Sequence, residues 1–215
     1  MNWKYRRSDF RRPVAQLEHV EATIRFFEDR VEAEGTLHLR AREPLREIAL
    51  DLDGAKAVHP LDRAYAAGEA FTVQVAHVSH PDDTHLEGIY RDVTPAYAPQ
   101  QYMSQCQQYG FQRILPIVDD CTAKCTFRTT LEGDARYTHL ISNGDLVEDA
   151  VVGARRRCVY EMRRPMAPYL FLACAGTWEV LADAVTYPDT GKTVKLEYLV
   201  PPGHRDGARI PMEIL

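Results

Sequence analysis

The stretch VEATIRFFEDRVEAEGTLHLRAR, residues 20–42, decides the fold class of this sequence. Over residues 20–26, and again over residues 31–41, apolar and polar side chains alternate with a period of two. Successive side chains of a strand point to opposite faces of a sheet, so each run predicts a strand with one buried and one solvated face. Glu28, Asp29 and Arg30 separate the two runs, and we therefore expect a β-hairpin here.

Further runs of strand-forming residues follow at short intervals, at residues 48–52, 71–78, 124–131, 157–162, 169–174 and 193–200. Turn-forming residues lie between them, namely Asp53-Gly54, Glu132-Gly133-Asp134, Asn143-Gly144 and Asp189-Thr190-Gly191. Asn-Gly is the strongest of these signals, because both residues tolerate positive φ in a tight turn. No segment carries a sustained helical stripe, and residues 100–109 are predicted as loop or strand. Many short strands without crossover helices predict an all-β fold, an antiparallel β-sandwich.

The length of 215 residues fits one large β-domain, or one domain with a short extension. The composition changes near Tyr187-Pro188, after which one strand precedes a tail rich in proline and glycine. We therefore expect a β-domain over residues 1–186 and a separate segment over residues 187–215. The sequence stops at Leu215 without a terminating feature, and we expect it to be cut there rather than finished.

Charge and cysteine usage argue against several classes of partner. The formal net charge is -5, and no basic face emerges that would neutralise nucleic-acid phosphates. The densest basic run, Arg155-Arg156-Arg157, is predicted to be a solvated strand edge. No run is long enough to cross a membrane, and residues 1–12 lack the apolar core of a secretory signal. Five cysteines without framework spacing predict reduced thiols in a cytoplasmic protein.

Residue types that carry chemistry do not form a recognisable site. His77, His80 and His85 lie within nine residues, but their spacing matches no zinc-ligand pattern, so we interpret them as surface histidines beside a turn. Cys121 and Cys125 would lie about 13 Å apart on a strand, too far for a disulfide. The sequence contains no Gly-x-Ser-x-Gly, no phosphate-binding loop and no His-Glu-x-x-His.

Short motifs between Leu86 and Trp178 carry a family resemblance. They are Leu86-Glu87-Gly88-Ile89-Tyr90-Arg91, Ser104-Gln105-Cys106-Gln107 followed by Gly110-Phe111-Gln112-Arg113, Ser142-Asn143-Gly144-Asp145, and Pro168-Tyr169-Leu170-Phe171 with Ala175-Gly176. Tyr5-Arg6 with Asp9-Phe10-Arg11 fits the same pattern at the start of the chain. In this order the motifs resemble the aminopeptidase N-like family of zinc metalloaminopeptidases, which are gluzincins with a thermolysin-like catalytic domain. Each motif alone is weak, but five in the family's order are a specific signal.

The resemblance implies that this chain is the amino-terminal domain of such a peptidase, a saddle-shaped antiparallel β-sandwich packed on the catalytic domain. The family's catalytic apparatus includes a Gly-Ala-Met-Glu-Asn strand and a His-Glu-x-x-His helix, and neither occurs in this sequence. The resemblance therefore implies that this chain binds no cofactor and that zinc belongs to the missing catalytic domain. Residues 187–215 would be the truncated start of that domain or a linker.

The same resemblance assigns one fragment of an active site, Gln105-Cys106-Gln107, to this chain. In the family the two outer positions hold the first residue of the substrate and its free amine. Side chains two apart in an extended segment point the same way, so Gln105 and Gln107 would present two carboxamide oxygens to one ammonium group. Many relatives have glutamate where this chain has Gln107, and a neutral carboxamide makes a weaker hydrogen bond than a carboxylate. A solvated polar loop is the alternative interpretation of the pair.

A second departure from the family lies in Asp119-Asp120-Cys121-Thr122, where Cys121 replaces a frequent proline. Loss of the proline removes a fixed φ and frees a backbone donor, which leaves the conformation of this loop open.

Three hypotheses about function follow. In the first, the parent protein removes amino acids from the amino terminus of peptides with a zinc-activated water, and this chain alone is inactive. In the second, the chain is a free-standing β-sandwich for binding or assembly without peptidase activity. In the third, the parent peptidase has lost its catalysis. The first hypothesis predicts an exposed apolar patch against the missing domain, near Ile210, Met212, Ile214 and Leu215.

Overall fold

The computed structural model describes residues 10–214, so Tyr5, Arg6, Asp9 and Leu215 of the sequence predictions lie outside the described residues. The predicted hairpin over residues 20–42 is present: β1 (Ala15–Phe26) and β2 (Val31–Ala41) pair antiparallel, with Ile24 opposite Ala33. The other strands are β3 (Leu45–Leu52), β4 (Ala55–Tyr65), β5 (Ala70–Ser79), β6 (Gly88–Arg91), β7 (Tyr102–Gln105), β8 (Cys125–Asp134), β9 (His139–Ser142), β10 (Asp145–Val152), β11 (Arg155–Met166), β12 (Ala173–Gly176), β13 (Glu179–Thr186) and β14 (Thr193–Val200).

Helical structure within the described residues is limited to short segments. The 3₁₀ turns are Phe111–Arg113, Pro168–Leu170 and Arg205–Ala208, and the α-helix α1 is Arg209–Ile214. The proline- and glycine-rich tail contains a 3₁₀ turn and a short helix. No helix within residues 10–214 is long and apolar enough to cross a membrane.

The main layers of the fold are two sheets. A six-stranded sheet has the order β10-β11-β8-β1-β2-β5, and a four-stranded sheet has the order β6-β7-β12-β9. Neighbouring strands run antiparallel except β1 and β8, which are parallel. With 56% strand and 8% helix, the predicted all-β sandwich is confirmed.

The core forms where the inner faces of the two sheets meet. Alternation along β1 and β2 buries Leu17, Ile24 and Leu37 completely, as the sequence pattern requires. On the opposite side Phe111 packs edge-on against Phe171, with ring centroids 4.8 Å apart. Tyr102 of β7 is fully buried, and its hydroxyl donates to the carbonyl of Phe27 at 2.7 Å, which satisfies the polar end of the ring.

The outer face of the six-stranded sheet carries charges that neutralise one another across the strands. Arg25 lies between Glu34, at 2.6 Å, and Glu132, at 3.1 Å. Glu132 also faces Arg157 at 3.7 Å, and Arg157 pairs in turn with Glu148 of β10. One row of ion pairs therefore crosses five strands, which makes this a solvated face rather than a packing face.

Three local predictions were wrong. Arg155-Arg156-Arg157 is not a strand edge, because β10 pairs with β11 and lies outside it. The strand predicted over residues 169–174 begins only at Ala173, because Pro168 starts a 3₁₀ turn.

The third wrong prediction concerns a turn. Glu132-Gly133-Asp134 belongs to β8, where Gly133 leaves room for the ring of Tyr137. Asn143-Gly144 connects β9 to β10, which belong to different sheets. Asn143 accepts from the N–H of Leu172 at 2.6 Å and so ties this corner to the four-stranded sheet.

Two strand pairs stand apart from the main sheets. The β3–β4 hairpin turns at Asp53 and Gly54, which both have positive φ, at 49° and 80°. The β13–β14 ribbon pairs Glu179 with Val200 and Thr186 with Thr193. The predicted division between residues 186 and 187 falls at the turn of this ribbon, and it stays a prediction.

Candidate functional site

Gln105 and Gln107 lie at the end of β7, on either side of a buried residue. Gln105 is the last residue of the strand, and Gln107 opens a turn over residues 107–110, so the extended geometry expected at Gln107 is not present. Both glutamines are nevertheless exposed, while Cys106 between them is only 2% exposed. The buried thiol fixes the middle of the loop and leaves the two carboxamides in solvent.

The two glutamines are linked to each other within the loop. The backbone N–H of Gln107 donates to Oε1 of Gln105 at 3.0 Å. A carboxamide oxygen has two lone pairs, so Oε1 of Gln105 keeps one acceptor position for a ligand. The hydrogen bond therefore orients the Gln105 carboxamide and leaves one of its acceptor positions available.

Two glycines allow this loop to pack against its neighbours. A Cβ at Gly110 would lie 2.5 Å from the carbonyl oxygen of Gln105 and 2.8 Å from the Cα of Cys106, and both of those atoms are backbone. Gly88 is paired with Gln105 across the ladder and has a φ of +73°, which a side chain rarely adopts. The loop is thus held by backbone contacts that leave little room for rearrangement.

Beside the loop lies an ion pair that was not predicted from the sequence. Arg113 lays its stem across Gly88 and donates from Nε to Glu87 at 2.7 Å. Both side chains are 41% exposed. They belong to motifs quoted for the resemblance, but their contact joins positions 26 apart in sequence, so only the folded structure brings them together.

Asp119 is a buried carboxylate behind the loop, 6% exposed. It accepts from the N–H of Gln112 at 3.2 Å, and its own N–H donates to Oδ2 of Asp51 at 3.1 Å. Burial raises the pKa of Asp119 to about 6; the hydrogen bond from Gln112 acts in the opposite direction, and the nearby Asp51 adds to the rise. This carboxylate is a structural group that fixes residues 112–119.

The loop that lacks the family proline has a well-defined conformation. Asp120 accepts through Oδ1 from the N–H of Thr122 at 2.7 Å and from its hydroxyl, and Ala123 N–H donates to the carbonyl of Asp120 at 2.9 Å. An aspartate-capped turn therefore takes the place of a proline-fixed one. Cys121 is exposed, and the other four cysteines are buried; all five are free thiols.

The three histidines line one surface cavity of about 390 Å³ but are not arranged around a common point. His85 pairs with Asp82 at 2.8 Å, His77 lies 3.7 Å from Asp53, and His80 contacts the carbonyl of Asp29 at 3.3 Å. Among residues 10–214, no group of three or more His, Cys, Asp or Glu side chains could hold a metal ion.

Known proteins resemble this chain over part of their length. No protein-family model matches it. Aminopeptidase N of Caulobacter vibrioides is 29% identical over 116 residues, which make up 54% of this chain and 13% of that protein. The predicted resemblance is confirmed.

The resemblance extends to a solved fold. A mutant of an M1 zinc metallopeptidase from Deinococcus radiodurans, crystallised with a Tyr-Ser-Ala substrate, superposes with a TM-score of 0.72 at 18% identity. The superposition covers 88% of this chain and 49% of that one. At this identity the structural likeness establishes the fold, and the aminopeptidase relatives are substantially longer than this chain.

Proposed function

We propose that this chain is the amino-terminal, non-catalytic domain of a cytoplasmic zinc aminopeptidase, in which it acts as a scaffold and anchors the first residue of a peptide substrate. The observation that carries the anchoring role is the loop at the end of β7. Its two carboxamides are exposed on either side of buried Cys106, with Gln105 oriented by the N–H of Gln107 at 3.0 Å. Carboxamide oxygens accept hydrogen bonds, and a peptide's terminal ammonium donates them.

The catalytic step is assigned to another domain of the parent protein. The donor groups within residues 10–214 do not fit a zinc site, so no step of peptide hydrolysis is assigned to them. Zinc, in the partner domain, would activate the water that attacks the peptide bond. We expect the isolated chain to release no amino acid from aminoacyl-p-nitroanilides, with or without added zinc. Zinc-dependent turnover by the pure chain would contradict this.

The β13–β14 ribbon and α1 support the scaffold role. One face of the ribbon carries Leu181, Val185, Val194, Leu196 and Tyr198, none of which is buried. A two-stranded ribbon is marginally stable by itself in water, so an apolar face of this kind calls for a partner surface. In α1, Met212 is buried, while Ile210 and Ile214 are 70% and 80% exposed. The helix therefore has exposed apolar side chains that a second surface would cover. We propose that the catalytic domain of the same protein covers this region.

Titration with trialanine tests the anchoring role directly. We expect trialanine to shift the ¹H–¹⁵N signals of Gln105 and Gln107, and N-acetyl-trialanine, which lacks the ammonium group, to leave them unchanged. Gln107→Glu should lower the Kd about fivefold, because a carboxylate makes a charge-assisted hydrogen bond to the ammonium. Gln108→Ala, at an exposed neighbouring glutamine, is the matched control and should leave the Kd unchanged. Equal shifts from both peptides would rule out recognition of the free amine.

A further inference from the structure

The Glu87–Arg113 pair adjoins the proposed anchoring loop through the strand ladder. Gly88 follows Glu87 in sequence and is the partner of Gln105 across β6 and β7. The Cβ and Cδ atoms of Arg113 lie 2.6 and 3.5 Å from where a Cβ of Gly88 would stand. The arginine stem therefore crosses the strand directly beside Gln105, since paired residues of an antiparallel ladder have Cα atoms about 4.5–5.5 Å apart.

The turn after Gln107 fixes Arg113 in this position. Gly110 N–H donates to the carbonyl of Cys106 at 2.8 Å, and Arg113 N–H donates to the carbonyl of Gly110 at 3.1 Å. The chain from the loop to Arg113 is thus one hydrogen-bonded unit. A guanidinium is always charged at physiological pH, so this unit places a permanent positive charge close to the two glutamines.

The positive charge of Arg113 opposes the binding of an ammonium group to the loop. Gln105 and Gln107 are neutral and do not offset it. Two like charges within about 10 Å of each other near a protein surface repel enough to change a Kd severalfold. Glu87 accepts the Arg113 Nε–H at 2.7 Å and so cancels the charge locally.

We infer that Glu87 is a positioning residue for amine recognition: it neutralises Arg113, so that the uncharged Gln105–Gln107 loop accepts a terminal ammonium. The inference rests on the proposed anchoring function. It assigns electrostatic selectivity to the residue that precedes β6 and not to the loop, which contributes only neutral acceptors. The chemical class of the ligand is a primary ammonium at the end of an extended peptide.

A double-mutant cycle tests this inference on the full chain. The probe is trialanine, followed by the ¹H–¹⁵N signals of Gln105 and Gln107 at low ionic strength. Glu87→Gln should raise the Kd about threefold, because Arg113 is left uncompensated. Glu87→Gln combined with Arg113→Gln should return the Kd to the wild-type value. Adding salt to about 0.5 M should shrink the effect of the single variant, because the Debye length then falls below the separation of the charges.

The outcomes separate the inference from the function on which it rests. If wild-type chain binds trialanine and Glu87→Gln binds it equally well, the inference is wrong and the anchoring function stands. If the double variant stays as weak as the single one, the effect is structural and the inference is also wrong. Arg113→Met, which keeps the stem over Gly88, repeats the cycle if Arg113→Gln unfolds the loop. If wild-type chain shows no response to trialanine, the anchoring function fails and the inference fails with it.

Discussion

The sandwich and the β13–β14 ribbon are built from similar numbers of apolar residues per strand but bury them very differently. In β1, six of twelve side chains are buried, and they meet the four-stranded sheet. In β13 and β14 no side chain is buried, although every residue on one face is apolar except Glu179 and Asp183. The sandwich therefore buries its own apolar face, whereas the ribbon leaves its apolar face in contact with solvent. This contrast supports the proposal that the ribbon packs against a second domain.

Truncating one leucine in each region gives the largest expected contrast. Leu37 of β2 is fully buried, and Leu37→Ala should lower the free energy of unfolding by about 3 kcal/mol, through lost burial and a cavity that the packed sheets cannot close. Leu196→Ala in the ribbon should cost less than about 1 kcal/mol, because Leu196 is already in contact with water. Urea denaturation of the two variants measures both values. Equal losses would mean that the ribbon is already covered in solution, for example by a second copy of the chain.

A pair of glycine substitutions compares the packing of the loop at the end of β7 with that of the 3₁₀ turn Arg205–Ala208. Gly110→Ala places a Cβ 2.5 Å from the backbone oxygen of Gln105, and we expect a loss of about 2–3 kcal/mol with altered signals for residues 105–110. Gly207→Ala has no atom within 4 Å of the new Cβ and should change stability by less than about 0.5 kcal/mol. Thermal denaturation and ¹H–¹⁵N spectra provide the comparison. A tolerated Gly110→Ala would show that the loop at the end of β7 is less constrained than its contacts indicate.

The contrast between the regions also marks what the sequence could predict. β1 and β2 were predictable, because one buried face imposes a period of two on the side chains. β10 and β13 were not predicted, because strands exposed on both faces do not show this period. Their sequences, DLVEDAVV and EVLADAVT, have no consistently apolar face. Asn143-Gly144 was recognised as a turn, but its connection between two sheets depends on the Leu172 contact, which is distant in sequence.

The candidate site was predicted from the resemblance and not from the residues' own pattern. Gln105 and Gln107 are ordinary loop glutamines until the exposure of both, and the burial of Cys106, are known. Glu87 and Arg113 could not be paired from sequence, because their contact requires the missing Cβ atom of Gly88 and the turn at Gly110. The spacing of residues along the chain does not predict such contacts.

Buried and exposed carboxylates give a pH-dependent contrast of intermediate size. The pKa of Asp119 in the folded protein is about 6, above its unfolded value, so the native state binds more protons between about pH 4 and pH 6. The contribution of Asp119 to stability is therefore greatest below pH 4 and is lost as the pH rises through 6. Asp119→Asn should gain about 2 kcal/mol relative to wild type between pH 4 and pH 7. Asp183→Asn, at an exposed ribbon residue, is the control for the substitution itself.

Urea denaturation at pH 4, 5, 6 and 7 measures the difference for both variants. Asparagine keeps an acceptor oxygen for the N–H of Gln112, so the comparison isolates the ionisation of Asp119. Parallel curves for wild type and Asp119→Asn would mean that the carboxylate is hydrated in solution, and that residues 112–119 open more than the closely packed loop allows.

The smallest contrast concerns ion pairs, which the sandwich joins into a row and the ribbon leaves isolated. Glu132 contacts both Arg25 and Arg157 and is 26% exposed, so Glu132→Gln leaves two guanidinium groups with fewer partners and should cost about 1 kcal/mol at low salt. Glu197→Gln breaks one pair with Lys195, which is 70% exposed, and should cost less than about 0.5 kcal/mol. Denaturation in low salt and in 1 M NaCl separates the electrostatic part, which salt should reduce. If Glu132→Gln costs no more than Glu197→Gln, the row of charges acts as independent surface pairs, and the sheet owes its stability to its buried face alone.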